Sequence, residues 1–190
     1  MKQGPPSRPA GSASIPVWDR FVRTMHWAIV IATPLAWFSH GGLLTIHRAA
    51  GYTLLGLALG RIAWGFSGNG YARFANFVPG PGRFARYMLA MARGRETRYT
   101  GHNPAGGMMI VVLLAVMLAL GASGWMLDSP KYRDHPTLHE IHAILSDGLI
   151  VLVALHIAGV LYASWRHREN LILAMITGRK SEGAKDRSEN

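Results

Sequence analysis

Four stretches of the chain are apolar over enough residues to cross a lipid bilayer as α-helices, which takes about 20 residues. The third begins with Asn103-Pro104, a helix N-cap followed by proline at the first helical position. Pro34 lies inside the first stretch, where it predicts a kink. The pattern therefore predicts an all-α fold, an integral membrane four-helix bundle. We place its helices at about residues 21–39, 46–66, 103–127 and 138–165.

The segments outside these helices differ from them in composition. Residues 1–16 are rich in proline, serine and glycine, which predicts a disordered N-terminal tail, and no convincing cleavage site follows the first apolar run, so we expect this tail to be retained. Residues 17–175 form the predicted transmembrane domain, and residues 176–190 a basic C-terminal tail. Residues 83–93 mix aromatic residues and methionines with arginines, which predicts either a short amphipathic helix on the membrane surface or a solvated connection.

The absence of cysteine restricts the chemistry. A chain with no cysteine has no disulfide, no thiolate metal site, no covalently attached c-type haem and no cysteine-bound iron-sulfur cluster. Any bound metal must therefore use histidine, methionine or carboxylate ligands.

Positive charge is concentrated on one predicted side of the membrane. Four lysines or arginines precede His26, six arginines lie between residues 67 and 104, and six more basic residues follow from Arg166. The loop at 39–45 has no charged residue. By the positive-inside rule, both termini and the long connection are cytoplasmic. The net charge of +10 is thereby explained by topology, and we expect the lipid bilayer, and no nucleic acid, as its partner.

Four histidines lie at two predicted depths in the membrane. His142 and His156 are fourteen residues apart on the fourth helix, which places both on one face, about 21 Å apart along the axis. His26 lies at the cytoplasmic level of His156, and His47 lies at the outer level of His142. Ionisable groups at membrane depth are costly and are usually functional. Two neutral imidazoles at each level predict two six-coordinate haems, one above the other.

Other polar residues leave alternatives for this arrangement. His40 also follows His26 by fourteen residues and is a second candidate for the outer ligand, although Gly41 and Gly42 indicate that the helix has ended there. Haem propionates need cationic partners, for which the candidates are Arg20, Arg23 and Arg61 inside and Arg48 outside. His139 is expected at the interface or beside a ligand. We expect solvated side chains for His102, His135 and His167.

Five segments of the chain carry a family resemblance: VWDRFVRTMHW, IHRAAGY, GHNPAGG, LHEIHAILSDGLIVLVALHIAGV and RHRENLILAMITGRK. With them the sequence resembles the prokaryotic cytochrome b561 family, and within it the di-haem b-type cytochrome subunits of nickel-iron hydrogenases. The resemblance covers about residues 16–180 and implies non-covalent haem b, with His26 and His156 on the inner haem and His47 and His142 on the outer one. It implies a multi-pass protein of the bacterial inner membrane.

Three functions are compatible with this pattern. The resemblance implies electron transfer between membrane quinone and a periplasmic c-type cytochrome or hydrogenase-like protein, as in a respiratory chain. Iron held by two imidazoles has no open position, which favours electron transfer over oxygen chemistry. The alternatives are a stand-alone enzyme that oxidises a small periplasmic reductant such as superoxide with quinone as acceptor, and a non-redox metal transporter. We expect the quinone beside the inner haem, near Arg23, Arg61 and Tyr87.

Overall fold

The computed structural model describes residues 14–68 and 70–181, and these are mostly helical. Its four long helices are α1 (Arg20–Ser39), α2 (Leu44–Ser67), α5 (Pro104–Asp128) and α6 (Pro136–His167). Three shorter helices are α3 (Phe74–Phe77), α4 (Pro81–Ala92) and α7 (Leu171–Thr177). Two strands, β1 (Ser14–Pro16) and β2 (Arg179–Ser181), form a small antiparallel sheet.

The long helices lie where the apolar pattern predicted them, with ends that differ by one or two residues. The predicted N-cap of α5 is confirmed, because the Asn103 side chain accepts a hydrogen bond from Gly106 N at 2.7 Å. The helix α4 confirms that the arginine-rich connection contains a helix. The boundaries follow from local chemistry, which explains why they could be read from the sequence.

Three of the long helices, α1, α5 and α6, are long and apolar enough to span a bilayer. Helix α2 has 24 residues and is long enough as well, but it carries Arg48 and Arg61 and is not one of these three. The 32 residues of α6, all of which the structure describes, include a single buried residue, Leu149. Apolar side chains exposed along such helices are suited to contact with lipid tails.

The four long helices pack side by side in chain order. Helix α1 packs on α2, α2 on α5, and α5 on α6, whereas α1 and α6 make little direct contact in the described part of the chain. The shared core is small-residue and aliphatic in composition. It consists of Ala32, Leu54, Ala58, Leu114, Met117 and Leu149. Helix α6 is therefore joined to the α1–α2 pair through α5, which contains no histidine.

The two ends of the described chain meet at one end of the bundle, which we call the terminal end. Strand β1 pairs with β2, and the amides of Val17 and Trp18 both donate to the Gly178 carbonyl, at 2.8 and 3.1 Å. The Arg23 guanidinium donates to the Ile176 carbonyl. The predicted boundary at residue 16 lies in β1, and the one at residue 176 lies in α7, three residues before β2. The tail predictions for 1–13 and 182–190 lie outside the described residues.

The connection between α4 and α5 is also fixed at the terminal end. Glu96 is buried, and its Oε1 accepts from Arg166 Nε at 3.0 Å and from Tyr162 Oη at 3.3 Å. Arg98 forms an ion pair with Glu169. Because Tyr162 and Arg166 belong to α6, these bonds hold α4 and its connection against the end of the bundle. We call the opposite end, with the α1–α2 and α5–α6 turns, the distal end.

Candidate functional site

The structure brings His47 and His142 together at the distal end. Their ring centroids lie 6.1 Å apart, and the ring planes are inclined at 75°. Two imidazoles that bind one metal ion from opposite sides, with metal–nitrogen distances of roughly 2 Å, have ring centres about 6 Å apart. The separation of His47 and His142 therefore fits a shared metal ion.

Hydrogen bonds determine which nitrogen of each ring carries the proton. His47 Nδ1 lies 2.8 Å from the Ala36 carbonyl oxygen, which accepts but never donates, so the proton is on Nδ1. His142 Nδ1 lies 2.8 Å from Ser123 Oγ, whose single hydrogen is directed to the Leu120 carbonyl at 3.0 Å. Ser123 thus accepts from His142. Both rings consequently keep the lone pair on Nε2, as metal ligation through that nitrogen requires.

Glycines on α5 and α2 allow close packing on one side of these rings and leave open space on the other. A Cβ at Gly124 would lie 3.3 Å from His142 Cε1, so the ring packs directly against the α5 backbone. No atom lies within 4 Å of the Cβ position of Gly51, one turn beyond His47 on the same face of α2. Sequence reasoning missed Ser123 and Gly124. In the sequence, the signal that could have identified them is a serine beside a glycine within an otherwise apolar helix.

His40 lies away from this pair. It is the exposed C-cap of α1, and its Nδ1 contacts the carbonyl of Trp37 in its own helix. The structure therefore brings His47, and not His40, to His142.

We call His26 on α1 and His156 on α6 the second pair, because they lie toward the terminal end within electrostatic range of each other. Both side chains are half-buried. His26 Nδ1 is excluded from solvent and has no hydrogen-bond partner among the described residues. The ring of Trp27 meets that of His26 edge-on, at 5.4 Å. The predicted inner level thus contains two neighbouring imidazoles.

Further buried donors lie near this second pair. Arg61 is 7% exposed, its Nη2 donates to the Ala72 carbonyl at 3.2 Å, and its Nη1 has no partner in the described part of the chain. Its guanidinium lies over the rings of Phe74 and Phe77, at 5.2 and 5.7 Å. Arg23 Nε is likewise buried without a partner among the described residues. Buried donors require acceptors, and these arginines fit an anionic group such as a haem propionate.

The expectation that His102 is solvated was wrong. Its ring packs between Trp18 and Phe77, at centroid distances of 4.4 and 4.7 Å, and its Nδ1 is buried without a described partner. Burial, with a smaller effect of Arg61, lowers the pKa of His102 to about 3, so the ring is neutral. Trp18 follows β1 and Phe77 ends α3, so this enclosure depends on tertiary contacts that local composition does not reveal.

The distal arginine has a partner within the protein. Arg48 Nε lies 3.0 Å from Asp128 Oδ1, and Tyr52 Oη donates to Asp128 Oδ2 at 2.9 Å. The predicted role of Arg48 beside a haem propionate therefore competes with its ion pair to Asp128. Of the remaining histidines, His135 is exposed as predicted, and His139 Nε2 donates to the Arg133 carbonyl at 2.7 Å.

No group of three or more His, Cys, Asp or Glu residues within 14–68 and 70–181 is arranged to hold a metal ion. Four of the histidines in this part of the chain instead lie two and two, His47 with His142 and His26 with His156. Two imidazole nitrogens are the number that a six-coordinate haem iron takes from the protein.

Known proteins match nearly the whole chain. A family model described as "Prokaryotic cytochrome b561" matches residues 17–178. A "Probable Ni/Fe-hydrogenase B-type cytochrome subunit" of Rhizobium leguminosarum bv. viciae is 26% identical over 212 aligned positions, which cover 88% of this chain and 89% of that protein. A protein of the same name from Azotobacter vinelandii is 28% identical over 158 positions, covering 70% and 65%. No solved structure matches.

The family match, the apolar helices and the paired histidines agree with one another. The protein is a membrane electron-transfer protein with b-type haem, and the chain belongs to the prokaryotic cytochrome b561 family.

Proposed function

We propose that the protein transfers electrons across the bacterial inner membrane, between a periplasmic redox protein and the quinone pool, through two haems that are each bound by two histidines. The geometry of His47 and His142 supports this proposal most directly, because both Nε2 lone pairs are available and the ring centres lie 6.1 Å apart, a separation that suits one iron. Haem iron supplies reversible one-electron chemistry when it is bound.

The ligand pairs follow the two ends of the bundle. His47 and His142 bind the outer haem at the distal end, and His26 and His156 bind the inner haem at the terminal end. The scarcity of direct packing between α1 and α6 supports this assignment, since flat groups held between helices keep those helices apart. The positive-inside rule places the terminal end, with the arginines of the α2–α5 connection, in the cytoplasm.

Arg61 and Arg23 then hold the propionates of the inner haem. The unpartnered Nη1 of Arg61 supports this role, because a guanidinium donor excluded from water gains most from an anionic acceptor. At the outer haem, Arg48 first has to share or exchange its bond to Asp128. The two levels therefore differ in how strongly cations disfavour the oxidised, more positive haem.

The distal end is the docking side for the periplasmic partner, which is a hydrogenase-like protein or a c-type cytochrome. The names of both relatives refer to a hydrogenase, which favours a hydrogenase-like partner. A small-reductant oxidase is less well supported, because a negatively charged substrate such as superoxide would need a basic entrance. Asp128 instead neutralises Arg48 at this end.

Quinone binds on the cytoplasmic side, beside the inner haem. The neutral ring of His102, whose Nδ1 lacks a described partner, provides a buried hydrogen-bonding group at that level, beside the propionate-binding Arg23 and Arg61. Electrons that enter from the periplasm then cross both haems before they reach the quinone, and its protons come from the cytoplasm.

The first test is the haem content of the purified protein. We expect two molecules of haem b per chain, all of them extractable with acidified organic solvent because the chain has no cysteine to hold haem covalently. A haemochrome spectrum combined with amino-acid analysis measures the ratio. A ratio of one or zero contradicts the proposal.

The second test concerns the outer ligands. His47→Ala and His142→Ala should each remove the same component of the reduced-minus-oxidised spectrum, because both rings bind one iron. His40→Ala is the matched control and should keep both haems, since His40 is exposed at the end of α1. Loss of a haem in His40→Ala and its retention in His47→Ala would reverse the assignment.

The third test uses the hydrogen bond from His142 to Ser123. Ser123→Ala should keep the outer haem but raise its midpoint potential by roughly 20–60 mV, because an imidazole that has lost its acceptor gives less electron density to the iron, and one hydrogen bond is worth about 1 kcal/mol. Redox titration measures the change. Thr33→Ala removes a hydroxyl bonded to Ile29 O on α1 and should leave the potential unchanged. Equal shifts in the two variants would exclude the specific role of Ser123.

The fourth test separates the two haems in function. His26→Ala should remove the inner haem and abolish quinone reduction, while the outer haem is still reduced by a soluble electron donor. Rapid-mixing spectroscopy follows both steps. A quinone analogue found bound beside His47 and His142 would contradict the inner placement.

A further inference from the structure

A surface cavity at the terminal end is lined by three arginines. It has a volume of about 370 Å³ and lies between α4 and the connection that follows it. Arg83 and Arg86 belong to α4, and Arg95 belongs to the connection. The other residues that line the cavity are Tyr87, Ala90, Thr97 and Tyr99.

The positive charge of this cavity is not neutralised within the described part of the chain. No described carboxylate forms an ion pair with Arg83, Arg86 or Arg95. Glu96, the acidic residue next to Arg95, forms its ion pair with Arg166 and accepts a hydrogen bond from Tyr162. Three like charges around one concave surface repel one another and raise the local concentration of anions. The cavity therefore favours a ligand with negative charge.

Two tyrosines complete the wall and add neutral donors. The rings of Tyr87 and Tyr99 are 5.8 Å apart, and the Arg83 guanidinium lies 5.7 Å from the centre of the Tyr99 ring, which orients it. Burial, followed by the nearby carboxylate of Glu96, raises the pKa of Tyr87 to about 12. The Tyr87 hydroxyl stays protonated as a result. Guanidinium and hydroxyl donors together suit the oxygens of a phosphate group.

The level of the cavity relative to the membrane follows from its attachment to α6. Arg166 donates to the Gly94 carbonyl at 2.7 Å and to Glu96 at 3.0 Å, on either side of Arg95 in the sequence. The neighbouring residue Trp165 is 76% exposed at the end of an apolar helix. Exposed tryptophan at the end of a membrane helix is typical of the headgroup region. The arginines therefore lie at the level of lipid phosphates.

We propose that this cavity binds a phosphate group, namely that of an anionic phospholipid headgroup. Leu89, which is 52% exposed on α4 next to Ala90 of the cavity wall, is available to the acyl region of the same lipid. The bound headgroup fixes α4 on the membrane surface. The site is distinct from both histidine pairs and does not depend on the proposed electron-transfer route.

The test is lipid binding by the full-length, haem-loaded protein in detergent. Phosphatidylglycerol, phosphatidylcholine and inorganic phosphate are titrated separately, and bound molecules are counted by native mass spectrometry. The double variant Arg83→Gln/Arg86→Gln removes two charges from the cavity. The matched control Arg73→Gln/Arg93→Gln removes two exposed arginines from the same connection that do not line the cavity.

We expect one phosphatidylglycerol to bind tightly to the unaltered protein, and about 30-fold weaker binding in the cavity variant, which corresponds to about 1 kcal/mol for each arginine. The control variant should bind as the unaltered protein does. Equal losses in the two variants would show a general effect of charge and overturn the site. Equal binding of phosphatidylcholine, or displacement of the lipid by millimolar inorganic phosphate, would overturn the assignment to an anionic lipid. The haem absorption spectrum of each variant shows whether that variant is folded.

Discussion

A buried imidazole that is to bind a metal needs an acceptor for one nitrogen so that the other is free, and much of this structure follows from that requirement. Inside a membrane no water is available as the acceptor, so the protein must supply it. His47 obtains it from the Ala36 carbonyl, and His142 from Ser123, whose own hydrogen is used by the Leu120 carbonyl. The acceptors lie on α1 and α5. Each outer histidine is thus oriented by a neighbouring helix and not by its own.

This requirement also explains the role of α5. The helix carries no histidine, yet it packs against both α2 and α6 and supplies Ser123 and the close approach at Gly124. Substitution of α5 residues therefore changes the orientation of a ring on α6 without removing any ligand. Helix α1, by contrast, is joined to α6 mainly at the terminal end, through the pairing of β1 with β2 and the contact of Arg23 with Ile176. The sheet ties together the ends of helices that the bundle itself leaves apart.

The four long helices and the proximity of His47 to His142 were predictable because both follow from periodicity and depth, which are properties of a sequence read locally. The N-cap at Asn103 was predictable for the same reason. The enclosure of His102, the acceptor role of Ser123 and the pairing of Ser14–Pro16 with Arg179–Ser181 were not, because each joins residues that are distant in the chain. Their local composition is that of ordinary loops, tails or helix interiors.

Arginines of this chain have different surroundings and therefore different physical roles. The positive-inside rule explains the arginines of the long connection as a group, but the structure separates them by environment. Arg61 is buried over aromatic rings with an Nη1 that has no partner among the described residues, Arg48 is neutralised by Asp128, and Arg98 pairs with Glu169. A buried, partly unpartnered guanidinium is stable only if an anion completes it, whereas an exposed one serves topology without any specific partner. Burial and pairing, more than net charge, therefore distinguish Arg61, whose surroundings suit an anionic group, from the exposed arginines of the long connection.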